Sequence, residues 1–130
     1  MNSVAVDIKD MLEAESGSGF VFGTNLFIGQ EPDKPNECTT IFDTPGMPPQ
    51  LSLSRESYRY ESIQVRVRSN TYPGGWEIVN RVMALLHGRA GEEWNDAYYS
   101  IIYVSSGPAL LDWDNNQRVR FIINFEIQRR

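Results

Sequence analysis

Residues 60–68, Tyr60-Glu61-Ser62-Ile63-Gln64-Val65-Arg66-Val67-Arg68, decide what kind of fold this chain can adopt. Ile63, Val65 and Val67 alternate with Gln64, Arg66 and Arg68 without a break. In extended backbone successive side chains point to opposite faces, so the stretch carries an apolar row and a charged row. That pattern predicts a half-buried antiparallel strand. Residues 118–128 repeat it, with Val119, Phe121, Ile123, Phe125 and Ile127 on one face and Arg118 and Arg120 on the other.

Working outward, residues 44–59 (TPGMPPQLSLSRESYR) hold three prolines and a glycine, which forbid regular helix. Leu51 and Leu53 then alternate with serines. A connection this long is usually functional or disordered. Its apolar Met47, Leu51 and Leu53 argue against pure disorder, because such side chains prefer a surface to lie on. Upstream, residues 25–29 and 38–43 are short and rich in β-branched and aromatic residues, with Pro32 and Pro35 between them, and read as two strands joined by a turn.

Two helices complete the pattern. Residues 3–15 space Val4, Ala5, Ile8, Met11 and Leu12 along one stripe, with Ser3 as N-cap, Ser16-Gly17 as stop and the charges mostly on the other side. After a turn at Tyr72-Pro73-Gly74-Gly75, Trp76, Val79, Val82, Met83 and Leu86 form a second stripe ending at His87-Gly88. Strands are expected at about Tyr98–Val104 and Arg118–Gln128. The economical packing is an α+β domain over 1–130. It has a single antiparallel, or mostly antiparallel, sheet with both helices on one face and a long Pro-rich loop.

At 130 residues the chain can bury roughly two thirds of its unfolded surface. No apolar run approaches the ~20 residues of a membrane span. Asp7, Asp10 and Glu13 interrupt any signal-peptide layout, and the lone Cys38 fits a reducing compartment, so secretion is not expected. The net charge of −5 argues against a nucleic-acid binder. Residues 1–50 carry eight acids against Lys9 and Lys34, hence −6; residues 51–130 carry nine acids against ten arginines, hence +1. Unlike ends suit head-to-side contact between copies.

Catalytic signals are thin. His87 and Cys38 are the only residues of their types, so the usual zinc ligands are missing, and a helix-end position already explains His87. The glycines of residues 16–23 follow a helix rather than opening one, which excludes a phosphate cradle. Glu92, Glu93 and Asp96 read as a solvated turn or helix start. Asp112, Asp114 and Asn116 alternate like calcium ligands, but Gln117 and Ile123 stand where a calcium loop needs glycine and glutamate. They mark a hairpin tip, with Asn115-Asn116 as the left-handed turn residues. Neither a metal nor another cofactor is expected, and an enzyme is the least favoured class.

The arginines offer more. If the strands that hold Arg66, Arg68, Arg118 and Arg120 are neighbours, four guanidinium groups share one face. They could meet phosphate or the carboxylates of a partner chain, and overall acidity favours carboxylates, although a solvated face explains them as well.

Three stretches carry a family resemblance: NLFIGQEPDKPNECTTIFDTPGMPPQ, YESIQVRVRSNTYPGGWEIVNRVMALLHG and SGPALLDWDNNQRVRFIINFEIQR. Together they resemble the minor capsid or tail terminator proteins of long-tailed bacteriophages. The resemblance implies an α+β subunit of a ring, usually a hexamer. Such a ring caps the tail tube, stops its polymerisation and meets the head-completion (stopper) protein, while DNA passes through the lumen unbound. It places the protein in the virion tail at the head–tail junction, after assembly in the host cytoplasm, with no membrane partner. The expected contact residues are Met47, Leu51, Leu53, Tyr58, Tyr60, Arg66, Arg68, Arg118 and Arg120. A monomeric or ring-forming head–tail connector is the alternative.

Overall fold

The two alternating segments form strands, and they pair with each other at the middle of the sheet. A computed structural model describes residues 1–48 and 58–130; Leu51 and Leu53 lie outside the described residues. Among those described, the order is α1 (Val4–Ala14), β1 (Leu26–Ile28), β2 (Cys38–Thr44), β3 (Arg59–Ser69), α2 (Tyr72–Leu86), β4 (Glu92–Trp94), β5 (Ala97–Trp113) and β6 (Val119–Arg129). The strands make one six-stranded sheet of order β1-β2-β3-β6-β5-β4. β3 and β6 run antiparallel along their whole length, from Arg59 opposite Arg129 to Ser69 opposite Val119.

The expectation of an antiparallel sheet with both helices layered on one face is overturned. The fold is mostly β, the sheet is mixed, and it curls into a half-barrel with the two helices. β1 lies parallel to β2, with Leu26 opposite Thr39 and Ile28 opposite Ile41. Period-two alternation is the same in both directions, so it could not reveal that residues 29–37 bring the chain back instead of reversing it. The curl has its own cause. β5 shifts register against β6 at four places between Tyr99 and Asp112, and each such irregularity bends and twists a strand. Gly107 sits at one of them with φ +88°, where an added Cβ would lie 2.8 Å from the Ile122 carbonyl oxygen.

Three element boundaries also differ. β5 runs on past Val104 to Trp113, because Gly107-Pro108 falls inside a bulge instead of ending the strand. The acidic stretch at Glu92 is the short strand β4. The second helix starts at Tyr72: Thr71 caps it by accepting the Gly74 N–H at 3.2 Å, and Pro73 needs no donor in the first turn. Gly75 lets α2 approach β6 closely, since a Cβ there would sit 2.8 Å from the Phe121 ring.

α1 buries Val4, Ala5, Ile8, Met11 and Leu12, and α2 buries Ile78, Val79, Val82 and Leu86, against the odd-numbered rows of β3 and β6. Burying each large aliphatic side chain stabilises the fold by about 1.5–3 kcal/mol. Asp43 of β2 accepts the Ala5 N–H at 3.1 Å and so caps α1 from outside the helix.

A buried ion pair, Asp7 with Arg129, lies inside this core. Asp7 is wholly buried and accepts hydrogen bonds from the Tyr99 hydroxyl, from Asn95 Nδ2 at 2.7 Å and from Arg129 Nη1 at 3.3 Å. Arg129 in turn reaches Glu61 at 2.7 Å and the Asn2 carbonyl at 2.9 Å. Burial, and then the bond to Asp7, push the Tyr99 phenol well above its ordinary value, so it stays a donor. The cluster ties α1 to the ends of β5 and β6.

Candidate assembly surface

Because β3 and β6 are neighbours, their arginines do share one face, with Arg68 directly opposite Arg120. The carboxylates that meet them come from the same chain. Residues 29–37 bend over this end of the sheet, and three guanidinium groups hold them there. Arg68, only 2% exposed, donates to Glu31 at 3.2 Å and to the carbonyls of Asn36 at 3.1 Å and Pro35 at 2.8 Å. Arg120 grips Asp112 with two bonds of 2.7 Å and donates to the same Glu31 oxygen at 3.0 Å. Arg118 pairs with Asp114 at 2.7 Å and donates to the Asp33 carbonyl at 2.6 Å. Two-pronged, charge-assisted bonds of this kind fix geometry as well as charge.

The acids respond accordingly. The hydrogen bonds from Arg120 hold the Asp112 carboxyl below the usual carboxylate range despite some desolvation. At Asp114 desolvation raises the carboxyl, but bonds from the Arg118 and Asn116 backbone and the Arg118 side chain outweigh it and leave it lowered. Asp114 also shapes the hairpin tip, accepting the N–H groups of Asn116 and Arg118 at 2.9 Å. The left-handed residue of that turn is Gln117, at φ 61°, rather than Asn115 or Asn116.

Arg66 sits one pleat inward and is half-buried, stacked 4.9 Å above the Phe42 ring and donating to Gln64 at 3.0 Å. Gln64 donates to Asn124 at 3.2 Å and Asn124 to Ser106 at 2.8 Å, a polar ladder across β3, β6 and β5. Met47, Tyr58 and Tyr60 lie at the opposite end of β3, roughly 25 Å along the strand from Arg68. There the Met47 N–H binds the Tyr60 carbonyl at 2.9 Å, and Tyr58 stacks on the Arg130 guanidinium at 5.3 Å. The expected contact residues that are described therefore fall into two groups, at the two ends of the β3–β6 pair.

Cys38 and His87 stay apart in role. Cys38 is buried, and desolvation raises its thiol pKa. His87 Nδ1 accepts the Val104 N–H at 3.0 Å, closing the edge of β5 at that point. Beyond it, among the described residues, no strand pairs with the free edge of β5, because β4 reaches only Ala97–Tyr99. No group of three or more His, Cys, Asp or Glu among the described residues is placed to hold a metal ion.

Sequence reasoning missed the apolar surface beside this free edge. Tyr72 and Trp76 of α2 cover the Phe121 ring, with centroids 5.0 and 5.7 Å away, yet remain about half exposed themselves. Leu110, opposite Phe121, and Trp113, opposite Val119, extend the same surface. The available signal was Trp76 and Tyr72 in a glycine-rich first turn, a poor place to bury large rings.

Comparison with known proteins gives this surface its context. No curated protein matches the chain. Among solved structures the chain is similar to one described as the virion of a native gene transfer agent particle, with a TM-score of 0.71 and 12% identity. That match covers 97% of this chain and 93% of the other, and at such low identity it shows a shared fold. The family profile for bacteriophage tail terminator proteins matches residues 2–130. Spanning nearly the whole length, that match is decisive: the chain belongs to the bacteriophage tail terminator family, a structural component of the virion tail.

Proposed function

We propose that copies of this chain close into a ring that caps the tail tube, ends its polymerisation and presents a surface to the head-completion protein. The family match along residues 2–130 is the observation that carries this reading. The shape of the subunit supports it. A ring requires a head-to-tail contact between two different patches. This sheet has two unlike edges, the short parallel β1 on one side and, on the other, the short β4 followed by the uncovered length of β5. The net charge of −5 suits a lumen through which DNA passes without adhering.

Within this reading Met47, Tyr58, Tyr60 and Arg66 are the contact residues best placed to reach a neighbour, the tube or the head-completion protein. Leu51 and Leu53 stay assigned to the same role from their sequence alone. Arg68, Arg118 and Arg120 make their ion pairs within the chain, so replacing them tests folding as much as contact. Negative-stain images of the purified protein test the proposal, and six-fold rings are the expected result. Separate particles of monomer size at every concentration contradict it. Arg66→Glu should also shift the mass by light scattering toward monomer at physiological salt; an unchanged mass removes Arg66 from the contact.

A further inference from the structure

We infer that the contact between copies is built from two apolar patches on opposite edges of the sheet, one beside β5 and one beside β1. The inference rests on the ring reading and names the surfaces that make it. The first patch consists of Tyr72, Trp76, Leu110 and Trp113, which are 49, 42, 48 and 49% exposed. They lie on one side of the sheet, around buried Phe121 and Val119. The second consists of Val21 and Phe22, 51 and 48% exposed, in the connection between α1 and β1. Phe22 carries the Lys9 ammonium 4.8 Å above its ring.

The area of the first patch matches what one side of an interface between copies requires. With aromatic side chains of about 200 Å² each, its exposed apolar area is roughly 350 Å². An interface of standard size buries about 800 Å² per partner, of which a little over half, about 450 Å², is apolar. The patch supplies most of that share, and the bare edge of β5 and the polar hairpin tip beside it can supply the rim. Isolated apolar groups need no explanation, whereas four large side chains gathered around buried Phe121 and Val119 make a contiguous patch of the kind interaction sites use.

The occupant follows from the position of the second patch. β1 and β5 lie toward opposite edges of the same sheet, with α1 packed near the first and α2 near the second. A second copy therefore brings Val21 and Phe22 to the β5 side of the first and leaves its own β5 side open for a third. Repeating that unlike-on-unlike contact generates a ring when the rotation closes. A like-on-like contact through the β5 patch would stop at two.

Complementation between two variants tests the arrangement. Trp113→Asp should destroy the β5-side patch and Phe22→Asp the β1-side patch; each variant alone should show monomer mass by light scattering. Mixed in equal amounts they should form a one-to-one dimer, because each keeps the surface the other needs. Circular dichroism and thermal melts should show both variants folded, and the milder Trp113→Ser or Phe22→Ser replaces whichever is not. Variants that still form wild-type rings overturn the inference and leave the ring reading standing. A mixture that stays monomeric overturns the head-to-tail arrangement. A wild-type chain that is itself monomeric at all concentrations overturns the ring reading, and the inference with it.

Discussion

β5 is one strand with two unlike halves. From Ala97 to Ile102 it lies beside β6 on one edge and β4 or the chain after α2 on the other, and it buries Ala97, Tyr99 and Ile102. From Tyr103 to Trp113 it keeps only β6, and Tyr103, Leu110, Leu111 and Trp113 stand exposed. Pairing with β6 is common to both halves, and only the first has a second backbone partner along its other edge. What changes is whether the apolar side chains are consumed by the subunit's own core. The first half secures the fold through the buried Asp7 cluster, while the second leaves apolar surface over for another molecule.

Substitutions in the two halves should accordingly separate stability from association. The largest loss of stability is expected from Asp7→Ala, about 3 kcal/mol in urea unfolding, because Arg129 and Tyr99 would lose a buried partner. Gly75→Ala should cost about 2 kcal/mol by forcing a Cβ into the Phe121 ring, measured the same way. Glu31→Gln removes the carboxylate shared by Arg68 and Arg120 and should cost about 1–2 kcal/mol, with residues 29–37 losing amide-exchange protection first. Trp113→Ser should change subunit stability by less than about 0.5 kcal/mol while abolishing association. If it instead unfolds the chain, the two halves of β5 are not distinct in role.

Acid titration sharpens the contrast further. Asp112 and Asp114 have carboxyls lowered in the folded state. Their stabilising contribution is complete above the unfolded value of about 3.9 and is lost as pH falls through the lower folded values. The melting temperature should therefore be flat from neutrality to about pH 5 and fall below about pH 4. Asp112→Asn should flatten that acid limb.

Much of the fold was legible because alternation is a local signal. Ile63, Val65 and Val67 announced β3 and the odd-numbered row from Val119 announced β6; that their arginines share one face depended on the two strands being neighbours, which β3–β6 pairing supplies. Direction and curvature were not legible, since they depend on how residues 29–37 travel and on bulges that leave no periodic trace. Tyr72-Pro73-Gly74-Gly75 reads as a turn because proline and glycine punctuate turns, yet with Thr71 before them they open a helix. Two charged core residues could have been found. Asp7 lies on the α1 stripe between Val4 and Met11, and Arg129 continues the buried row of Phe125 and Ile127. A charge in phase with an apolar row signals a buried pair.

The central claim is that this chain is built to meet copies of itself at two different edges. The mass of the purified wild-type protein by light scattering, across a hundredfold range of concentration, tests it most directly. A limiting mass near six times the 14.9 kDa subunit is the predicted result. A constant mass of one subunit across that range would contradict the account.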